Sequence, residues 1–249
     1  MRIARPLLTL ILGLLAVALV AAPGEVRAQG TYCCVVPDNG GGTADHPPSC
    51  SVGYSGYMEV VDGLPPGSTI QAPSILGGLG GFPGLVQVPG GPLGGMTETW
   101  TSTLTMHLLG TGAYAGYNRI VSMGIVNGTS HSAPRVPFAS PQAFLTDLYT
   151  MQGQLPPGDP DFDLLRVTAG TGFGMPSPGH TTLTAAPGGW AVDSFFDITY
   201  RIDFVGSPGG PFAGMSGSTT GVLHRFGMCN DRPTPAQQGT WGALKSIYR

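Results

Sequence analysis

The stretch that most constrains this chain is "SFFDITYRIDFV", Ser194 to Val205. Phe196, Ile198, Tyr200, Ile202 and Phe204 fall on one side, and Asp197, Thr199, Arg201 and Asp203 on the other. A strict period of two buries a stripe only in an extended strand, so one face of this segment must meet a core and the other must meet water. "TETWTSTLTMHL", Thr97 to Leu108, repeats the pattern. Trp100, Leu104, Met106 and Leu108 share its even side, and Thr97, Thr99, Thr101, Thr103, Thr105 and His107 its odd side. Threonine combines β-branching with a hydroxyl that water can solvate, so the row reads as an outer face. A hydroxyl array for ice or polysaccharide would need matching rows on neighbouring strands, and only pairs such as Thr181-Thr182 and Thr219-Thr220 are available.

Further short strands are expected in "YMEVVDGLPPGSTIQ", which carries a Pro-Pro-Gly turn, and in "NRIVSMGIV", "FDLLRVTAG" and "STTGVLHRF", each bounded by Gly, Pro or Asn. "SPQAFLTDLYTMQGQL" imitates a helix start at Ser140-Pro141 and a stop at Gly153, but its strand-rich surroundings favour a strand. "ILGGLGGFPGLVQVPGGPLGG" reads as a long loop lying on the body of the domain. The chain of 249 residues has 41 Gly and 24 Pro, and only 10% of its residues are charged, against about a quarter in ordinary domains. Many turns between alternating segments predict an all-β fold, an antiparallel β-sandwich with long Gly/Pro-rich loops, with a jelly roll as one connectivity.

Arg2 and Arg5 precede an apolar run of 16 residues, Leu7 to Ala22, too short to span a bilayer, and Val26-Arg27-Ala28 supplies a cleavage site. Residues 1–28 are therefore read as a secretory signal peptide, 29–52 as a cysteine-bearing loop segment, 53–229 as one β domain and 230–249 as a spacer and short tail. The expected mature chain keeps 8 of the 11 basic and 13 of the 14 acidic side chains, a formal charge of −5, which argues against nucleic acid as a partner. No later segment is apolar enough to be a transmembrane helix. Four cysteines in an exported chain read as disulfides. A Cys33–Cys34 ring would be strained, so Cys33 and Cys34 are expected to partner Cys50 and Cys229, in an order left open. A rival metal site with His46 lacks any Cys-x-x-Cys pair. In the tail, Trp241, Leu244 and Tyr248 recur at helical spacing beyond a Pro/Gln spacer, a candidate recognition element for cell-surface or extracellular matrix components.

From about Tyr57 to Phe226 the chain resembles a family of secreted proteins of environmental bacteria to which no activity is assigned. The resemblance is carried by "MEVVDGLPPGSTI", "GTGAYAGYNRIVSM", "GDPDFDLLRVTAGTGFGMPSPGHTTLT" and "VDSFFDITYRIDFVGSPGGPFAGMSGSTTG". It implies a secreted, β-rich domain and brings no catalytic residues. The ending "TWGALKSIYR" resembles C-terminal segments of other exported bacterial proteins.

Chemistry is sparse. Asp159, Asp161 and Asp163 in "GDPDFDLL" alternate and could converge on a structural calcium ion, although Leu164 and Gly170 stand where a calcium loop needs Gly and Glu. The simpler reading is a solvated acidic turn. No glycine-flanked serine, Ser55 and Ser216 included, has the spacing of a nucleophile elbow, and His180 with Asp193 is a pairing made only on paper. His107 and His224 read as outer-face residues, and no two histidines have zinc-site spacing. Glu59 and Glu98 are the only glutamates of the expected mature chain, and Asp197, Arg201 and Asp203 form a charge ladder more simply than a glycosidase site. The expectation is a non-catalytic extracellular or cell-surface protein without a cofactor. A carbohydrate- or protein-binding module is the second reading, with Tyr54, Tyr57, Tyr114 and Tyr117 as stacking candidates. A hydrolase is the third.

Overall fold

The alternation of residues 194–205 belongs to an 18-residue strand, Gly189–Gly206, that is paired along both of its sides. In the computed structural model, which describes residues 34–78 and 81–227, the strands in chain order are β1 (Val35–Val36), β2 (Tyr54–Val60), β3 (Ile70–Leu76), β4 (Val86–Pro89), β5 (Met96–Gly110), β6 (Asn118–Ser132), β7 (Gln142–Gln154), β8 (Phe162–Ala169), β9 (Pro178–Ala186), β10 (Gly189–Gly206) and β11 (Ser216–Gly227). All their pairings are antiparallel. The fold is all-β, as the alternation requires.

The sheet runs β10-β11-β2-β3-β5-β6-β7-β8, and β8 pairs back onto β10, so a single sheet closes on itself. The two faces expected of a sandwich are thus opposite walls of one eight-stranded barrel, in which chain neighbours are sheet neighbours; this is a meander and not a jelly roll. One slot, between β7 and β10, is filled by two strands in line. β8 pairs with Met151–Gln154 and Tyr200–Gly206, and β9 pairs with Gln142–Asp147 and Gly189–Ser194. The ambiguous segment that opens at Ser140-Pro141 is strand from Gln142 onward. The glycine-rich stretch before β5 is not wholly loop, because β4 within it pairs with Met96–Thr99.

Eight strands enclose a lumen just wide enough for side chains. Leu104, Ile202 and Val167 are fully buried at mid-barrel beside Met106 and Met123. At one end Phe212, from the β10–β11 connection, seals the lumen against Phe162, stacked at 5.1 Å, Tyr114 at 4.8 Å and Tyr117 at 4.9 Å. On the outer wall Thr105 bonds Ser122 at 3.0 Å, and Thr101 donates to the Pro83 carbonyl at 2.7 Å, so the threonine row also carries local ties. Of the expected ladder of Asp197, Arg201 and Asp203, the Arg201–Asp203 contact is present at 3.3 Å, and Asp203 also accepts from Arg166 on β8, a partner outside that expectation.

Closure is thinnest between β11 and β2, whose ladder has one registered pair, Gly227 with Ser55. Side chains replace the missing rungs. The Tyr200 hydroxyl accepts the Glu59 amide at 3.0 Å, passing over Gly221, where any Cβ would crowd the phenol. Thr219 Oγ1 accepts the amides of Val61 and Asp62 at 3.0 and 2.9 Å. Tyr200→Phe should therefore lower stability by about 1 kcal/mol through the orphaned amide, whereas Ile202→Ala should cost about 2–5 kcal/mol as a core cavity. Denaturant titration of the two variants measures this contrast; equal losses would mean that the phenol does not hold the seam.

Candidate functional site

The end of the barrel opposite Phe212 is polar. The period of β5 that buries Trp100 also turns Glu98 inward, where it has no solvent exposure. Ser132 Oγ donates to its Oε1 at 2.5 Å and Ser130 Oγ to its Oε2 at 3.3 Å, while the Trp100 indole donates to Ser130 at 3.2 Å. Across the lumen the Tyr54 hydroxyl, Ser194 and Thr181 form a chain with steps of 2.7 Å each. Burial pushes the Tyr54 phenol well above its ordinary pKa, so it stays protonated. Between the two halves lies His46, 1% exposed. Its Nε2 is 3.3 Å from Thr181 Oγ1, and its Nδ1 is 3.7 Å from Glu98 Oε2 and makes no hydrogen bond.

His46 does not come from the barrel wall. It sits in a loop that folds over the lumen mouth between Cys34 and Cys50, which form a disulfide with their Cα atoms 5.7 Å apart. Side chains from the barrel rim hold this loop. Gln142 accepts from Thr43 at 2.6 Å and donates to the Gly42 carbonyl at 2.7 Å; Arg135 donates to the Ala44 carbonyl at 2.6 Å; Trp190 donates to Asp38 at 2.8 Å. The Phe138 amide donates to Gly42 O at 2.8 Å, in the left-handed conformation (φ 63°) that lays its ring over Gly42, where only the absence of a Cβ makes room. Carboxyl, imidazole and hydroxyl thus stand in relay order, but the relay is enclosed. The void beside it, lined by residues including Tyr54, Trp100 and Ser130, holds about 10 Å³, room for one water at most.

The sequence-predicted residues land elsewhere. Asp159 and Asp161 do converge, but on a guanidinium: Arg119 Nη1 donates to Asp159 Oδ1 at 2.8 Å and lies 2.6 Å from Asp161 Oδ2, and Nη2 pairs with Asp159 Oδ2. Tyr117 donates to Asp161 at 2.7 Å, and Asp163 instead accepts from Ser207 at 2.7 Å. The cation that meets these carboxylates is therefore Arg119, which favours the acidic-turn reading over calcium, and no three metal-ligating side chains gather among the described residues. Burial alone would raise the Asp159 carboxyl, but Arg119 and the amides of Asp161 and Phe162 hold it below its ordinary value.

The metal alternative for His46 also falls, because two of its sulfurs are joined to each other. His180 and Asp193 point from different positions of β9 and β10 and do not meet: Asp193 is registered with Thr182, and His180 with Leu145. Of the tyrosines, Tyr54 is core, Tyr114 and Tyr117 pack on Phe212, and Tyr57 is exposed. Cys33, Cys229, Trp241, Leu244 and Tyr248 lie outside the described residues, as does the expected signal peptide. Sequence reasoning missed the Glu98–His46 pair. The signal was present in part, since Glu98 has the parity of Trp100, but nothing local announces that His46 meets it.

Three outcomes are expected. A depressed carboxyl stabilises above its unfolded pKa, and that stability is lost as pH falls through the folded value. The melting temperature should therefore fall as pH drops below about 4. Asp159→Asn should lose about 2 kcal/mol at neutral pH and show a shallower acid limb. An unchanged acid limb in this variant would deny Asp159 the role. Cys50→Ser should cost about 3 kcal/mol for a closure spanning 16 residues, read by calorimetry against the oxidised wild type.

Comparison with protein-family models, curated proteins and solved structures returns no match.

Proposed function

We propose that this protein is a secreted, non-catalytic component of the cell surface or extracellular space, a rigid barrel that acts through its outer wall. The observation that carries the reading is the direction of its chemistry. The groups able to exchange protons in relay, Glu98, His46 and Thr181, face inward and are sealed, while the outer surface exposes apolar side chains such as Phe138 (80% exposed) and Val136 (70%) in the β6–β7 connection and Leu145 (60%) on β7. Single exposed apolar residues are ordinary; several around the rim of one loop suit contact with another surface. The disulfide is compatible with an oxidising compartment.

The exposed ring of Tyr57, beside the β2–β11 seam, favours the second reading, a carbohydrate- or protein-binding module. Fractionation of cells expressing the full chain and a version ending at Asn230 tests the first reading. Surface retention of the full chain and release of the shortened one is the expected result, with the tail as the sorting element. If both are free in the medium and the protein sediments with an insoluble polysaccharide in a manner lost in Tyr57→Ala, the binding module replaces it. Hydrolysis abolished by Glu98→Gln would overturn both.

A further inference from the structure

We infer that the polar end of the lumen is a binding site for a small nitrogen base, a protonated amine or azole, and that His46 is its resident occupant, supplied by the chain itself.

The wall is built for a ligand of this kind without His46. Strands β2, β5, β6, β9 and β10 all send polar atoms into the same end, although the rest of the lumen is filled with apolar side chains. Glu98 is fully buried and already preorganised, its two oxygens each accepting one serine hydroxyl. The hydrogen bonds it accepts come from neutral hydroxyls, and Arg135 acts on it only through space while donating to Thr43 and Ala44, so a nitrogen hydrogen-bond donor remains the missing complement to a buried carboxyl. Opposite Glu98, Thr181 and Ser194 offer hydroxyls that can donate or accept. Aromatic rings flank the space: Phe144 meets the imidazole edge-on at 5.8 Å and Phe196 lies at 6.4 Å, a setting that suits a flat or cationic group.

His46 fills this space imperfectly. Its Nδ1 is buried without a hydrogen bond, 3.7 Å from the acceptor it faces, and its Nε2 reaches Thr181 at a long 3.3 Å. A side chain fixed by a loop cannot slide the remaining distance, whereas a free ligand can. The loop that delivers it is also the part of this end with least barrel pairing. Beyond the two-residue β1 it is held by one disulfide, by rim side chains such as Gln142, Arg135 and Gln87, and by backbone bonds from the Val192 amide to the Cys34 carbonyl and from the Phe138 amide to the Gly42 carbonyl, a fastening separate from the closed ladder of the barrel. The lumen is therefore closed by a part outside the barrel ladder, and that part carries a mimic of the ligand.

The test uses imidazole as the probe and the full chain. His46→Gly should melt lower than wild type, and saturating imidazole should raise its melting temperature by about 4 °C, with no rise in wild type or in the His46→Gly/Glu98→Gln double variant. Thiophene, an apolar ring of similar size, should give less than half of that rise. Equal rises with imidazole and thiophene would reduce the site to a bare cavity, and a folded His46→Gly protein indifferent to imidazole would overturn the inference. Should His46→Gly fail to fold, wild-type protein with its disulfide reduced keeps every group of the site. Saturation transfer from protein to imidazole should then appear in the nuclear magnetic resonance spectrum and vanish in Glu98→Gln. Its absence in the reduced wild type, or its persistence in Glu98→Gln, would equally overturn the inference.

Discussion

Everything in this molecule depends on β10 being paired on both sides. With β11 along one edge and β9 followed by β8 along the other, Gly189–Gly206 turns what would be an open sheet into a closed wall. An open sheet of this length would leave two rows of unpaired amides and carbonyls, a template for association; closure removes both. Once the wall is closed, its inner face needs no second layer to cover it, because opposite strands cover each other. The period-two stripes of β5 and β10 then become one core.

Closure leaves two mouths, and the chain shuts them with different chemistry. At one, Phe212 inserts an aromatic ring among rings, and the Arg119–Asp159 and Arg119–Asp161 contacts fasten the neighbouring segment from outside. At the other, a disulfide-tied loop inserts an imidazole among a carboxyl and hydroxyls. Apolar packing has no angular demand, so the first closure tolerates small displacements. Hydrogen bonds are directional, and the second does not reach full geometry, which is why a buried nitrogen is left without a partner. Difference in closure, more than difference in strand number or length, separates the inert end of the barrel from the end with chemical potential.

What could be read from sequence follows from the distance over which each signal acts. Strand identity is local: Phe196 to Phe204 alternate within nine positions, and a helix would put Phe196, Tyr200 and Phe204 on one face while turning Ile198 and Ile202 to the opposite one, so only a strand buries all five together. The Asp203 ladder was legible for the same reason, since Arg201 lies two residues away. Barrel closure was not, because a sandwich strand and a barrel strand have the same alternation; only the pairing of Tyr200–Gly206 with Phe162–Ala169 distinguishes them. The acidic turn misled because its neutralising partner, Arg119, lies 40 residues from Asp159. Glu98 was hidden in plain parity: among the threonines around it a glutamate looks like one more solvated residue, and its partner His46 arrives from a loop with no periodicity at all.

The β2–β11 seam joins residues 172 positions apart. The wall is therefore the last thing the chain can make. β2 is synthesised early, yet one of its edges waits for β11, and until then the Glu59, Val61 and Asp62 amides have neither Tyr200 nor Thr219 to receive them. Contacts of such long sequence span make folding slow and concentrate it in a single late event. A nascent chain would gain little by starting before its final strand exists, so the closed wall belongs only to a chain whose last strand has already been made.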